Sequence, residues 1–107
     1  MSSLQPLIDS AVQDLRSALN PSRIYLFGSC AKGAGKSSSD IDLLVVVPDD
    51  SESKFLKTHK AYRATRVLPV AKDIIVDHES VFEKRSKWIS SIEREVVETG
   101  KLIYGGS

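Results

Sequence analysis

The chain has one cysteine, Cys30, so it cannot close an internal disulfide. It lacks an apolar run of about 18 residues, the least that spans a bilayer. It also lacks a cationic leader followed by an apolar core, and a reducing cytoplasm is the expected setting. Its two histidines, His59 and His78, have neither an i, i+4 partner nor a cysteine neighbour. That argues against zinc and predicts that both lie at the surface. Net charge is +1, from 15 Lys and Arg against 14 Asp and Glu, too near neutral for nucleic-acid binding by bulk electrostatics. What remains is the balance of an ordinary globule, 41% hydrophobic and 27% charged over 107 residues. One domain spanning residues 1–107 is expected, large enough for a single core.

Periodicity divides the chain into alternating helices and strands without an internal repeat. Leu4, Leu7, Ile8, Ala11, Val12, Leu15, Ala18 and Leu19 recur at helical spacing, and Asn20-Pro21 ends that helix. Ile24-Tyr25-Leu26-Phe27 has the β-branched and aromatic character of a buried strand, stopped by Gly28. A second strand runs from Asp40 to Val47, with Ile41, Leu43, Val45 and Val47 on one face. A polar helix follows from Glu52 to about Thr65, carrying Lys54, Lys57, Lys60, Arg63 and Arg66. That basic row reads either as a solvated face or as a contact for triphosphate, nucleic acid or an acidic partner. Pro69 precedes a third strand, Val70 to Val76, and the polar residues from Asp77 to Ser80 open a further helix. The segment Ile89 to Thr99 sets Ile92, Val96 and Val97 on one side, and Leu102-Ile103-Tyr104 forms a short last strand. Trp88 and Tyr104 are expected to pack in the core rather than stack on a nucleobase.

Chemistry concentrates between Gly28 and Asp42, in GSCAKGAGKSSSDID. Strand alternation puts Asp40 and Asp42 on the same side, with Leu44 and Val46 continuing that side into the core. Two adjacent carboxylates repel, and a divalent cation removes the conflict. Magnesium suits such a place, because it prefers hard oxygens and commonly takes one or two carboxylates plus water and phosphate oxygens. Gly28, lacking Cβ, lets the backbone approach a ligand, and Ser29 with the following N–H groups can hold a phosphate.

The same loop ends in Gly33-Ala34-Gly35-Lys36-Ser37, like a Walker phosphate loop, but the register rejects that reading. The required glycine would fall at Cys30, and a strand rather than a helix follows. Residues 33–39 read instead as a cationic loop near the phosphates. Cys30 is read as a small space-filling residue rather than a redox-sensitive one.

Gly28-Ser29, the ten residues Cys30 to Ser39, and Asp40-Ile41-Asp42 together resemble the signature of the minimal nucleotidyltransferases of the DNA polymerase beta superfamily. The preceding strand, the acidic strand that follows and the closing EREVVETGKLIYGG also look like the small stand-alone members. The resemblance implies an α/β (α+β) fold of the polymerase beta type, a small mixed sheet with helices packed mainly on one face. It implies Asp40 and Asp42 on magnesium, ATP as nucleotide, and Gly28, Ser29 and Lys32 at the phosphates. The family usually has Arg where Lys32 stands, and Lys32 keeps the charge without the planar fork.

The third strand supplies Asp73, a carboxylate inside a β-branched run where burial without a partner would be costly. By resemblance it completes the site, as a metal ligand or as general base toward the attacking hydroxyl. The bland reading pairs it with Lys72 or an arginine at a sheet edge. Asp77 shares its parity but stands where an aspartate usually caps the next helix. Small members of the family resemble the antitoxin of toxin–antitoxin pairs whose partner is an all-helical HEPN-domain ribonuclease. Transfer of AMP from ATP to a tyrosine of such a toxin is therefore the expected reaction, the partner supplying the acceptor. The alternatives are an antitoxin that masks its HEPN partner by contact alone, or a transferase acting on a small-molecule hydroxyl. The oligomeric state is left open.

Overall fold

Five consecutive residues, 43–47, are buried without a break, and only a strand covered on both faces can use such a run. That strand is the second of four in the computed structural model, which describes residues 4–28 and 40–105. In chain order the elements are α1 (Gln5–Leu19), β1 (Arg23–Phe27), β2 (Ile41–Val47), α2 (Lys54–Thr65), β3 (Lys72–His78), α3 (Glu79–Arg85), α4 (Ile92–Thr99) and β4 (Lys101–Gly105). The sheet order is β3-β2-β1-β4. β1 pairs antiparallel with β2 and with β4, whereas β2 and β3 run parallel, joined by the crossover that contains α2. The sheet is thus mixed, as expected.

Alternation assigns the two faces. Leu43, Val45 and Val47 join Ile24 and Leu26 of β1 in a cluster with Ile8, Ala11, Leu15 and Leu19 of α1 and Ala61 of α2. Leu44 and Val46 join Phe27, Phe82 of α3 and Val96 of α4 in a second cluster. The two long helices therefore cover one face and the two short ones the other. α1 stops where Asn20 takes a left-handed conformation, φ 51°, and its N–H returns to the Arg16 carbonyl. α2 begins after Ser53, whose hydroxyl accepts the Leu56 N–H at 3.2 Å.

Several expectations need correction. The third strand runs Lys72–His78 rather than from Val70 to Val76, because its ladder to β2 starts at Ile41↔Lys72 and continues to Val47↔His78. Asp77 is therefore not a helix cap. It lies inside the strand and is wholly buried, and His78 occupies the cap position of α3. In α4 the buried positions are Glu93 and Val96, while Val97 is 48% exposed. Trp88 also lies at the surface, in the turn between α3 and α4, with the Arg85 guanidinium 5.1 Å over its ring. Tyr104 is half-buried against the first cluster, under Arg16 at 4.7 Å. His59 is exposed as expected, but His78 is largely covered, its ring nitrogen 3.3 Å from Asp50.

Candidate active site

At the end of the sheet where β1 finishes and β2 and β3 begin, the register lines up Phe27, Asp42 and Asp73 across three neighbouring strands. Asp42 and Asp73 are direct partners in the parallel ladder, so both carboxylates leave the same face one strand spacing apart, about 4.8 Å. Asp40 stands two residues before Asp42, just ahead of the strand. Partial burial, then the charge of Asp73, then that of Asp40, push the Asp42 carboxyl above its ordinary value. Among the described residues, three acids thus act on one another at the strand starts, and the causes acting on Asp42 include no cation.

Gly28 closes the other side. Its φ is +74°, and a Cβ there would collide with the Asp42 carboxylate, so both its backbone shape and its missing side chain are required. Ser29, Cys30 and Lys32, with the rest of 29–39, lie outside the described residues. On the far side of Asp73 stands Tyr62 of α2, a residue the sequence did not single out. Its hydroxyl accepts the Ile74 N–H at 2.8 Å and donates to Asp73 Oδ1 at 3.3 Å. Asp73 is exposed and is held by this phenol, rather than by Lys72 or an arginine. No local pattern announces the contact, because it needs the crossover helix folded against the sheet edge.

The donor set suits a hard divalent cation, since two carboxylates facing each other across a ladder lose their repulsion when an ion sits between them. Among the described residues, no three His, Cys, Asp or Glu side chains form a ready cage.

A second acidic pair lies further along the same face. Asp77, opposite Val46, meets Glu93 of α4 beneath the second cluster. Lys54 Nζ approaches Asp77 Oδ1 at 3.3 Å, and Arg85 Nε donates to Glu93 Oε1 at 2.9 Å. Asp77 Oδ2 has no partner if it is ionised, but a proton on it makes it a donor to Glu93. Burial and then Glu93 push Asp77 up to about 6. Burial alone would raise Glu93 too, but Asp77, a backbone N–H and Arg85 hold it below its usual value. Below about pH 6 one shared proton would satisfy the pair.

The nucleotidyltransferase domain family matches residues 8–103, the span that contains every strand up to Ile103. The chain belongs to that family and is a nucleotidyltransferase. It is 34% identical over 85 residues to the candidate protein adenylyltransferase MJ0604 of Methanocaldococcus jannaschii, covering 77% of each chain. Its fold is similar to that of a candidate nucleotidyltransferase from Sulfolobus solfataricus, with TM-score 0.64, 24% identity, and coverage of 94% of this chain and 78% of that one. It is also similar to the fold of a toxin–antitoxin solved with AMP-PNP, with TM-score 0.61, 24% identity, and coverage of 92% and 73%. Among the described residues, no helix of the nucleotidyltransferase is long and apolar enough to cross a membrane.

Proposed function

We propose that this nucleotidyltransferase uses magnesium and ATP to attach AMP to a protein hydroxyl, a tyrosine of a helical HEPN-domain toxin, and so acts as an antitoxin. The observation that carries the reading is the facing pair Asp42 and Asp73, with Asp40 beside it and Gly28 against it. Kinship to a protein named for adenylyltransfer, and a fold shared with a toxin–antitoxin bound to AMP-PNP, support nucleotide and acceptor class. The chain works as a minimal domain over 1–107, its acceptor brought by the partner.

Asp40 and Asp42 would hold the cation, with Asp73 completing the set or taking the proton. When bound, the ion offsets charge developing on the phosphate during transfer. Gly28 brings backbone to the phosphates, Ser29 adds a hydroxyl, and Lys32 adds a positive charge. The acceptor oxygen forms a bond to the α-phosphorus, the α–β bridging P–O bond breaks, and pyrophosphate leaves. The phenolic proton passes to Asp73, which faces that side from β3 and is steadied by Tyr62.

The test mixes the purified chain with magnesium, α-labelled ATP and the helical partner. Label on the partner that disappears in Asp40→Ala and Asp42→Ala supports transfer. A stable complex without label would replace the reading by masking through contact, and label only on small hydroxyl compounds would make it a small-molecule transferase.

A further inference from the structure

The four cations of α2 and Arg66 at its C-terminal cap do not behave alike. Lys54 is paired with Asp77, Lys57 is buried against Asp50 and Glu52, and Lys60 meets Glu52 at 2.7 Å. Arg63 and Arg66 are exposed and carry no ion pair among the described residues. They line, with His59 and Tyr62, a cleft of 430 Å³ on the outer side of the helix. Two apolar side chains flank this stripe, Phe55 at 88% exposure and Val67 at 79%. Spacing of 55, 59, 62, 63 and 66 puts the residues on one helical face. Two unpaired guanidiniums beside an aromatic ring, bounded by exposed apolar groups, complement an anionic chain that also has apolar parts.

Position decides which chain that is. Across the end of the sheet the order is Gly28 just after β1, Asp42 on β2, Asp73 on β3 and Tyr62 beyond the edge. The proposed phosphate-holding turn at Gly28 is two strand spacings, about 10 Å, from Asp73, so the arginine stripe lies on the acceptor's flank and not on the triphosphate's. We infer that the outer face of α2, centred on Arg63 and Arg66, docks an acidic segment of the protein acceptor and delivers its hydroxyl to Asp73 past Tyr62. This rests on the proposed transfer reaction for the identity of its occupant. Exposed Phe55 and Val67 favour polypeptide over a bare phosphodiester chain, which would offer them nothing to cover.

A fluorescein-labelled random copolymer of glutamate and tyrosine serves as probe, read by anisotropy for binding and by α-labelled ATP for transfer. Arg63→Glu with Arg66→Glu is compared with Lys84→Glu plus Lys87→Glu, which changes net charge equally on exposed residues of the α3 region. The first pair is expected to weaken copolymer binding by about tenfold, the control pair by less than about twofold, with thermal melts unchanged. Asp42→Ala is expected to keep binding while losing transfer. Equal effects of the two pairs would overturn the inference, as would tighter binding of polyuridylate than of the copolymer. Arginine-dependent binding with no transfer to the helical partner by the unaltered chain would overturn the proposed reaction and leave the docking surface standing.

Discussion

Asp73 and Asp77 leave the same face of the same strand, four residues apart, and meet opposite fates. Asp77 is buried and surrounded by its own answer: Lys54 at one oxygen, Glu93 against it with a proton between them at low pH, and Arg85 on the partner acid. Asp73 is exposed beside two further acids, and among the described residues its hydrogen bond is to the Tyr62 phenol. A buried carboxylate is answered by groups of the fold itself, whereas the exposed Asp73 is the one that the proposed reaction would leave to a bound cation. Both aspartates stand in one parallel ladder, opposite Asp42 and Val46, so the difference arises from what covers the sheet. α3 and α4 supply partners over Asp77, and the strand starts lie beyond them.

The sharpest way to break the contrast is Asp42→Asn, expected, if Asp42 holds the proposed cation, to cut nucleotidyl transfer by about a thousandfold. Its melting temperature should hold or rise, because a like charge is removed from beside Asp73 and Asp40. A fall of several degrees with transfer intact would mean that Asp42 is structural. At the other end, Glu93→Ala leaves Asp77 and Arg85 without their partner and should cost about 2 kcal/mol by denaturant unfolding. Transfer per folded molecule should not change.

The pH response follows from the same pair. Asp77 is pushed up to about 6, so its contribution is complete below the ordinary value of 3.8 and is lost as pH rises through about 6. Asp77→Asn keeps a neutral donor toward Glu93 but cannot ionise. Its stability relative to the parent chain should improve by about 1 kcal/mol between pH 5 and pH 7, read from paired thermal melts. A constant difference would show that the shared proton is absent. The smallest effect belongs to Tyr62→Phe, which strips the Ile74 N–H and Asp73 of one bond each. It should lower stability by under about 1 kcal/mol at this half-open edge and slow transfer a few-fold, measured as kcat with KM for ATP unchanged.

The motif around Gly28 and Asp42 was legible because it is local: a stop, a turn and an alternating strand are all written in sequence spacing. α1, β1, β2 and the existence of β3 follow from the same periodicities. Asp77 was misread because a charged residue at a strand end ordinarily faces water, and the sequence does not say that α4 will bring Glu93 over it. Glu93 itself left a faint sign, since it stands three residues before Val96 and so shares the buried face of α4. Val97 and Trp88 were placed inside on hydrophobicity alone, which says what a side chain prefers and not which face is still vacant. Tyr62 could not be found without the crossover, as its partners lie 11 and 12 residues away on another element.

The ladder between β2 and β3 also acts as a ruler for change. A side chain's direction alternates with every residue, so a slip of one position would turn Asp73 to the face of α1 and α2 and set Lys72 or Ile74 opposite Asp42 instead. Length changes can therefore collect in the turns at either end of α2, where a residue more or less alters only a loop. Within the strands a single insertion would dismantle the acidic pair and the core together, which ties survival of the site to survival of the fold.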